Sequence, residues 1–299
     1  MDNLGTGMND SGATIDVLLV TYNHERYIAQ ALASIFSQKH ARTMRIVVAD
    51  DCSSDSTVAI VREHAQRHPN VECLFLDAPR NLGISANYQR GFAACRAEYV
   101  AVLEGDDYWC SPHKLRKQSA WLDDHRECVM CGCNYFVFDE HRSTLVARVA
   151  LAEGGDLLDS RSLIHDNVIG TFSTCMYRRH VLQLIPAELY AMTTYDWGLN
   201  ICVGTHGLIG FLKEGLAVYR VHREGLWNKL SHEDKIEAQL ALIPEYDRLT
   251  NGVHRQEFAA LKTRLTTTQI IHTGQRIGVR GQLRRAKALL RRAAGRRHE

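Results

Sequence analysis

The chain has 299 residues, of which 45% are hydrophobic, enough for one large globular core or two smaller ones, and this excludes a largely disordered chain. The formal net charge of +2 hides an asymmetry, because residues 276–299 carry eight arginines, one lysine and one glutamate, a net +8 that leaves −6 for the rest. No stretch of about eighteen apolar residues is present, so we expect no membrane-spanning helix.

Residues 1–14 are polar and glycine-rich, and they lack the basic and apolar regions of a signal peptide. We expect them to form a disordered lead-in. The nine cysteines are an odd number and do not show the dense spacing of a secreted disulfide framework. A reducing, cytoplasmic compartment is the simplest interpretation.

Four short apolar runs predict buried strands, at residues 15–20, 44–49, 71–76 and 99–103. Helical patterns lie between them. In the first, apolar residues recur every three or four positions, and the next two follow "CSSDST" and "NLG". Strands that alternate with helices of this length predict right-handed βαβ units and an α/β fold with a mostly parallel, Rossmann-like sheet flanked by helices.

The second half of the chain is predicted in less detail. Ser111 and Pro112 are typical of a helix start, and that helix should run to about Asp124. Residues 128–138 read as a strand, and the polar stretch 139–160, with its Gly-Gly pair, as a loop. From about residue 231 the pattern is helical.

These patterns predict three parts of the chain. The lead-in 1–14 is followed by an α/β domain over residues 15–225 and by a helical C-terminal extension over residues 226–299, which ends in a basic helix.

Polar residues follow each of the four predicted strands. The stretches are "TYNHE", "DDCSSD", "DAPRNLG" and "EGDDYW". Because ligands bind at the carboxyl ends of parallel strands, we expect these residues to line one crevice. The first stretch has neither G-x-G-x-x-G nor a Walker loop, so bound phosphates would need carboxylates and a cation such as Mg²⁺ or Mn²⁺.

Several ordered motifs together resemble family 2 glycosyltransferases of the GT-A fold. They are "VLLVTYNHERYIAQALASIFSQ", "IVVADDCSSDST", "NLGISANYQRGFAACRAEYVAVLEGDDYW" and "SPHKLRKQ", and the resemblance resumes at "TYDW" and "YRVH". It implies a transferase that uses a nucleotide-diphosphate sugar donor, a hydroxyl acceptor that is a saccharide or a lipid-linked saccharide, and a divalent cation.

The resemblance also implies roles for individual residues. The residue after the first strand and an Asp after the second would contact the nucleotide base, and the D-x-D-type motif would hold the ribose and the metal. The donor site predicted in this way comprises Thr21, Tyr22, Asp51, Asn81, Gly83, Asp106 and Arg220, and the metal ligands are Asp107 and His222.

Each of these residues has a structural alternative. The acidic cluster could be a solvated turn, Asp50 and Asp51 could start the next helix, and Asn81 and Gly83 could form a turn. Asn87 is unassigned. Where many family members have D-x-D-D this chain has Glu104 first, which leaves the role of Glu104 open.

A transferase of this kind needs a base for the acceptor hydroxyl. Asp196, beside Trp197 in "TTYDWGLN", is the candidate, and the alternative is a helix cap. In "VYRVHREGLW", His222 could complete the metal shell or contact a phosphate, and Arg220 could neutralise the leaving diphosphate; a surface loop is the alternative.

Two further features have competing interpretations. Cys128, Cys131 and Cys133 superficially suggest zinc, but their spacing and apolar surroundings favour buried thiols. The basic C-terminal helix can lie on the cytoplasmic face of an anionic membrane, or it can be a solvated helix that packs on its own domain. No nucleic-acid-binding motif accompanies its charge, so we expect no nucleic-acid partner.

The sequence therefore predicts an inverting, metal-dependent glycosyltransferase, with hexosyl or related transfer, that acts in cell-surface polysaccharide or glycoconjugate synthesis. A nucleotidyltransferase is one rival, although "TYNHE" lacks the glycine-rich basic loop that it would need. A non-catalytic nucleotide-sugar-binding protein is the other rival.

Overall fold

The computed structural model describes residues 15–40, 42–192, 196–223, 225 and 230–269. The lead-in 1–14 and the basic segment 276–299 lie outside these residues, so the predictions made for them stay predictions. The strands are β1 (Ile15–Thr21), β2 (Met44–Asp50), β3 (Glu72–Leu76), β4 (Tyr99–Glu104), β5 (Tyr108–Trp109), β6 (Cys128–Asp139), β7 (Thr144–Ala147), β8 (Gly155–Leu158), β9 (Met176–Arg178) and β10 (Leu208–Val221).

The helices follow the strands in the α/β order that the sequence predicts. They are α1 (Ile28–Phe36), α2 (Thr57–Arg67), α3 (Ile84–Ala94), α4 (Lys114–Asp124), α5 (Ser160–His165), α6 (Arg179–Leu182), α7 (Ala187–Ala191), α8 (Asp196–Gly204) and α9 (His232–Leu249), with a short 3₁₀ turn at Phe172–Thr174. Residues 255–269 are also helical.

One sheet carries all of the described strands, in the order β3-β2-β1-β4-β9-β6-β10-β5, with β7 paired to β6 and β8 to β10. The first four strands are parallel, as are β6 and β10, while β5, β7, β8 and β9 run antiparallel to their neighbours. The predicted α/β fold with a mostly parallel sheet is therefore confirmed.

The core lies on both faces of β1, every residue of which is buried. Val17 and Leu19 pack into a cluster with Ile28 and Leu32 of α1. Leu18 points to the opposite face, because side chains alternate along a strand, and there it meets α3. Burial on both faces explains why these strands read as continuous apolar runs.

Two local predictions were wrong. The stretch 139–160 is not a loop throughout, because β7 pairs with β6 and β8 pairs with β10. Its backbone forms hydrogen bonds with the longer strands β6 and β10, and such tertiary pairing overrides the low strand propensity of a polar, glycine-containing sequence. The helix after the acidic turn begins at Lys114, not at Pro112, because a turn in which Lys114 N–H donates to Ser111 O (3.4 Å) precedes it.

The chain divides into two compact units between His222 and Arg223, three residues before the predicted boundary at 225. In the second unit, α9 begins with a capping box, in which the Ser231 hydroxyl accepts from Asp234 N–H and the Asp234 carboxylate accepts from Ser231 N–H. None of the helices described is both long and apolar enough to cross a membrane.

The free thiols include the three cysteines that superficially suggested zinc. Cys128, Cys131 and Cys133 are fully buried in β6, and burial raises the pKa of the Cys133 thiol to about 12. Neutral thiols in an apolar environment are poor metal ligands, which agrees with the prediction of buried structural thiols.

A buried ion pair fixes the start of β1. The fully buried Asp16 carboxylate accepts two hydrogen bonds from Arg45 (2.8 Å each) and two from the backbone N–H groups of Arg96 (2.6 Å) and Ala97 (2.9 Å). All four donors lose this acceptor if the carboxylate is removed, although Arg45 Nη2 keeps a longer contact with Ala94 O (3.4 Å).

We therefore expect Asp16→Ala to lower the free energy of unfolding by about 3–5 kcal/mol, the usual result of leaving a buried charge without its partner. Denaturant unfolding would measure it. The control is Glu63→Ala, which removes an exposed ion pair with Arg67 and should cost less than about 1 kcal/mol. Equal effects of the two substitutions would contradict the role given to Asp16.

Candidate functional site

The carboxyl ends of three adjacent strands form the candidate site. The register places Thr21 of β1 opposite Asp50 of β2, and Val20 opposite Glu104 of β4. The loops that follow these strands therefore leave the sheet side by side. The predicted convergence of polar strand ends on one edge is what the structure shows.

The loops after β1 and β2 are fastened to each other by hydrogen bonds. Asn23 adopts a left-handed backbone (φ 55°), donates its N–H to Ser53 Oγ (2.8 Å) and accepts from Ser54 N–H through its side chain (2.8 Å). The adjacent Tyr22 keeps 43% of its surface exposed. A rigid loop with an exposed aromatic ring is suited to the predicted contact with a nucleotide base.

Asp51 is buried, and both of its carboxylate oxygens accept from backbone N–H groups of the loop before α3. Leu82 N–H donates to one oxygen (2.7 Å) and Gly83 N–H to the other (2.9 Å). Gly83 has φ +89°, a conformation that side chains rarely adopt. Asp51 thus holds the loop that carries the exposed Asn81, and a contact with a donor would use its remaining lone pairs.

Two other polar residues of this edge have structural partners. The Asp50 carboxylate accepts from Ser53 N–H (2.8 Å) and from the Ser53 hydroxyl (2.5 Å), which closes a turn in the loop before α2. Asn87 is buried in α3, where its side chain donates to Ala49 O (2.8 Å) and accepts from Arg90 (2.8 Å). Neither side chain is directed to a ligand by these contacts.

Glu104, the last residue of β4 and the first acid of the cluster, accepts from the Tyr88 hydroxyl (2.8 Å) and from the Thr171 hydroxyl (3.0 Å). Burial, together with the nearby charge of Asp106, raises the pKa of Glu104 to about 8. Glu104 is therefore held by protein hydroxyls, and the structure gives it no place among the metal ligands.

Asp107, predicted as a metal ligand, is 1% exposed. Its carboxylate accepts from Arg220 N–H (2.8 Å) and from the Thr171 hydroxyl (3.5 Å). Burial raises its pKa well above the usual range, and the charges of Asp106 and Glu104 raise it further. Each of its oxygens keeps a further lone pair, and the role of Asp107 as a metal ligand stays a prediction.

Asp106, which the resemblance implies as a donor contact, is paired with imidazoles. One of its oxygens, Oδ2, lies 3.0 Å from His222 Nε2 and 3.7 Å from His24 Nε2. Burial raises the pKa of Asp106, but the hydrogen bond from His222 and the interaction with His24 outweigh it, and the pKa lies below its usual value. The structure thus pairs His222 with Asp106.

Arg220, predicted to neutralise the leaving diphosphate, has several partners within the protein. Its side chain is 7% exposed and donates to Asp106 O (2.8 Å), Glu140 (3.2 Å) and Gln30 (2.6 Å), and its guanidinium lies over the Tyr27 ring. A buried guanidinium with these partners supports the acidic turn from within. The contacts do not support the predicted contact with a leaving diphosphate.

Asp196 is the first residue of α8, and its oxygen Oδ2 is buried without a hydrogen-bond partner among the described residues. Burial raises the pKa of Asp196 to about 7, although hydrogen bonds from Trp197 N–H and Asn167 oppose the shift. Its charge also raises the pKa of Glu104. The Trp197 ring is buried and donates to Leu163 O (2.7 Å).

The protein's own side chains would supply only part of the ligand shell of a divalent cation at this site. In the described ranges, no three His, Cys, Asp or Glu side chains already stand as a metal site. Asp106 and His222 supply one carboxylate oxygen and one imidazole nitrogen 3.0 Å apart. Cations that bridge diphosphates usually take only one or two protein ligands and obtain the rest from phosphates and water, so these two residues fit the group.

Sequence reasoning missed three residues that shape the site. Tyr88 and Thr171 hold the acidic turn, and His24 faces Asp106. His24 lies within the strand-end stretch "TYNHE", so its position was a usable signal. Thr171 is 67 residues from Glu104 and no pattern in its own neighbourhood marks it.

The fold and the site define a GT-A type protein. Its mostly parallel sheet carries an aromatic residue, a buried aspartate and an acidic turn at successive strand ends. The pattern described as "Glycosyl transferase family 2" matches residues 16–185. The chain belongs to this family.

Comparisons with individual proteins agree with this assignment. The uncharacterized protein Rv1520 of Mycobacterium tuberculosis is 35% identical over 216 residues, 72% of this chain and 60% of that protein. The putative teichuronic acid biosynthesis glycosyltransferase TuaG of Bacillus subtilis is 24% identical over 208 residues, 69% of this chain and 79% of TuaG. The chain thus spans about three fifths of the length of its 35%-identical relatives.

A solved structure shares the fold. The mannosyltransferase PcManGT from Pyrobaculum calidifontis, determined in complex with GDP-Man and Mn²⁺, aligns with a TM-score of 0.56 over 93% of this chain and 80% of that one, at 15% identity. At this identity the likeness concerns the fold.

Removing the anchor of the loop before α3 should weaken nucleotide binding. We expect Asp51→Ala to raise the dissociation constant of the donor nucleotide roughly ten-fold or more, because it removes charge-assisted hydrogen bonds of about 1.5–3 kcal/mol. Calorimetric titration would measure it, with the exposed Asp124→Ala on α4 as control. Unchanged affinity in Asp51→Ala would show that neither this carboxylate nor the loop it holds contributes to binding.

Proposed function

We propose that this protein is an inverting, divalent-cation-dependent glycosyltransferase that moves a hexosyl or related sugar from a nucleotide-diphosphate sugar to a hydroxyl acceptor. The observation that carries the proposal is Asp196, a carboxyl with one buried oxygen that has no hydrogen-bond partner among the described residues, and with a pKa raised to about 7. A general base is most effective when its pKa lies near the operating pH.

The residues of the strand ends would divide the work. The exposed ring of Tyr22 would stack on the nucleotide base, with Thr21 beneath it, while Asp51 keeps the loop of Asn81 and Gly83 in place. Asp106 and His222 would hold the cation. When bound, that cation neutralises charge on the leaving diphosphate.

Asp196 would perform the proton transfer. Its oxygen Oδ2 accepts the proton of the acceptor hydroxyl. At the same time the hydroxyl oxygen attacks the anomeric carbon, on the face opposite the departing nucleoside diphosphate. One displacement of this kind inverts the anomeric configuration. The raised pKa means that the carboxylate gains a proton readily and is still substantially ionised near neutral pH.

The biological setting rests on relatives. TuaG is named for teichuronic acid biosynthesis and PcManGT was solved with GDP-Man and Mn²⁺. We propose by analogy that the acceptor belongs to a surface polysaccharide or glycoconjugate, either free or lipid-linked. We further propose a cytoplasmic location, with the basic segment 276–299 in contact with the membrane surface.

A screen of nucleotide sugars with and without Mn²⁺ tests the function. A true donor should raise the melting temperature by mass action, and the product formed with a saccharide acceptor should carry the inverted anomeric configuration by NMR. A donor that binds without any transfer or hydrolysis would favour the non-catalytic alternative, and a retained configuration would refute the single displacement.

The substitution Asp196→Asn separates a base from a helix cap. Asn caps about as well as Asp, so fold and donor affinity should persist, while the rate should fall about 10²- to 10⁴-fold. In the wild type, kcat should rise with pH through a midpoint near 7 as Asp196 loses its proton. A variant that still transfers at more than about a tenth of the wild-type rate would place the base elsewhere.

The same variant should change the dependence of stability on pH. Because burial raises the pKa of Asp196 to about 7, its protonated form stabilises the fold fully below the unfolded pKa of about 3.9, and this contribution is lost as the pH rises through 7. Asp196→Asn cannot ionise. Its melting temperature should therefore exceed that of the wild type at pH 8 and approach it at pH 4, and parallel melting curves across this range would contradict the burial of the charge.

A further inference from the structure

The hydroxyl of Ser85 makes a contact that neither the motifs nor the proposed reaction explains. Ser85 is the second residue of α3 and is buried, and its hydroxyl donates to Met192 O (2.7 Å). Met192 caps the C-terminal end of α7, a helix that packs against α3. One hydrogen bond therefore ties the end of α7 to the first turn of α3.

The first turn of α3 is also fixed to the donor loop, residues 81–83. Asp51 accepts from the backbone N–H groups of Leu82 and Gly83, and Gly83 is the N-cap of α3, whose carbonyl accepts from Asn87 N–H (3.0 Å). Ser85 lies two residues beyond this cap. The loop that borders the nucleotide and the hydroxyl that holds α7 thus belong to one hydrogen-bonded turn.

The same face of α3 reaches the acidic cluster. Tyr88 follows Ser85 by three positions, a spacing that places two side chains on one side of a helix. Its hydroxyl donates to Glu104 (2.8 Å). One buried helix face therefore contacts both the acidic cluster and the end of α7.

The end of α7 leads to the candidate base. Three residues separate Met192 from Asp196, the first residue of α8. On the other side of Asp196 along the chain, the Trp197 ring donates to Leu163 O of α5 (2.7 Å). Asp196 thus lies between two anchors, of which the Ser85 contact is the one that leads to the donor loop.

We infer that Ser85 is a positioning residue, which holds the end of α7, and through it Asp196, in a fixed position relative to the donor loop. The inference rests on the proposed function, in which Asp196 is the base. A base must lie within hydrogen-bond reach of the hydroxyl that it deprotonates, and a displacement of about 1 Å can cost about 10²-fold in rate. Ser85 acts through Met192 and not on the substrates, so its loss should slow transfer and leave donor binding intact.

Kinetics of Ser85→Ala test this division. Alanine favours the helix but lacks the hydroxyl, so kcat should fall about ten- to 100-fold, while the dissociation constant of the donor nucleotide stays unchanged. The matched control is Ser119→Ala, at a buried serine of α4 whose hydroxyl donates to Arg116 O of its own helix (3.3 Å). The control should change neither quantity, and the two variants should have similar melting temperatures.

Amide hydrogen exchange, read by mass spectrometry, tests the anchor without relying on transfer. The full chain would be compared alone and with UDP or GDP and Mn²⁺, because exchange reports local opening. In the wild type, nucleotide should slow exchange in α7 and at the start of α8. In Ser85→Ala, exchange in α7 should be faster, and nucleotide should protect the donor loop but no longer α7.

The outcomes separate the inference from the proposed function. Wild-type kcat in Ser85→Ala, or identical exchange of α7 in both proteins, would overturn the role of Ser85 and leave the transferase in place. An equal loss of kcat in Ser119→Ala, or a weaker donor affinity in Ser85→Ala, would also overturn it. Protection of α7 that depends on Ser85, in a protein that binds nucleotide but transfers no sugar, would support the anchor and overturn the catalytic proposal.

Discussion

The site depends on how the protein stabilises three carboxylates that the chain places within four residues. In a poorly solvated environment such charges repel strongly, and each is stabilised by partners of a different kind. Glu104 has tyrosine and threonine hydroxyls, Asp106 has imidazoles, and Asp107 has a backbone N–H of β10. Each acid is thereby directed differently, and only Asp106 faces the imidazoles.

The partners come from elements that are distant along the chain. The N–H that Asp107 accepts belongs to Arg220, 113 residues away, and the same guanidinium reaches Gln30 in α1. The acidic turn therefore acquires its geometry only when β10 has joined the sheet and α1 has packed against it. Because these partners lie so far away along the chain, the local sequence of the turn cannot specify the site by itself.

This separation explains which predictions succeeded. The strands β1, β2 and β4 and the chemistry at their ends could be predicted, because short apolar runs between helical patterns carry their own signal. The pairing of His222 with Asp106 and the buried partners of Arg220 could not be predicted from sequence. Both depend on which of Asp106 and Asp107 turns inward. That orientation depends on Arg220 of β10 and on His222, which lie more than one hundred residues further along the chain.

The link between Asp51 and the loop before α3 is made through the main chain. Any residue except proline has a backbone N–H at position 82, so the exposed Leu82 side chain can be replaced without loss of the hydrogen bond to Asp51. Position 83 instead needs a glycine, because its φ is +89°. The side chains at positions 81 and 82 thus lie at the edge of the candidate site without holding its backbone in place. Substitutions at these two positions can change the shape and polarity of this edge of the site, while the scaffold beneath stays constant.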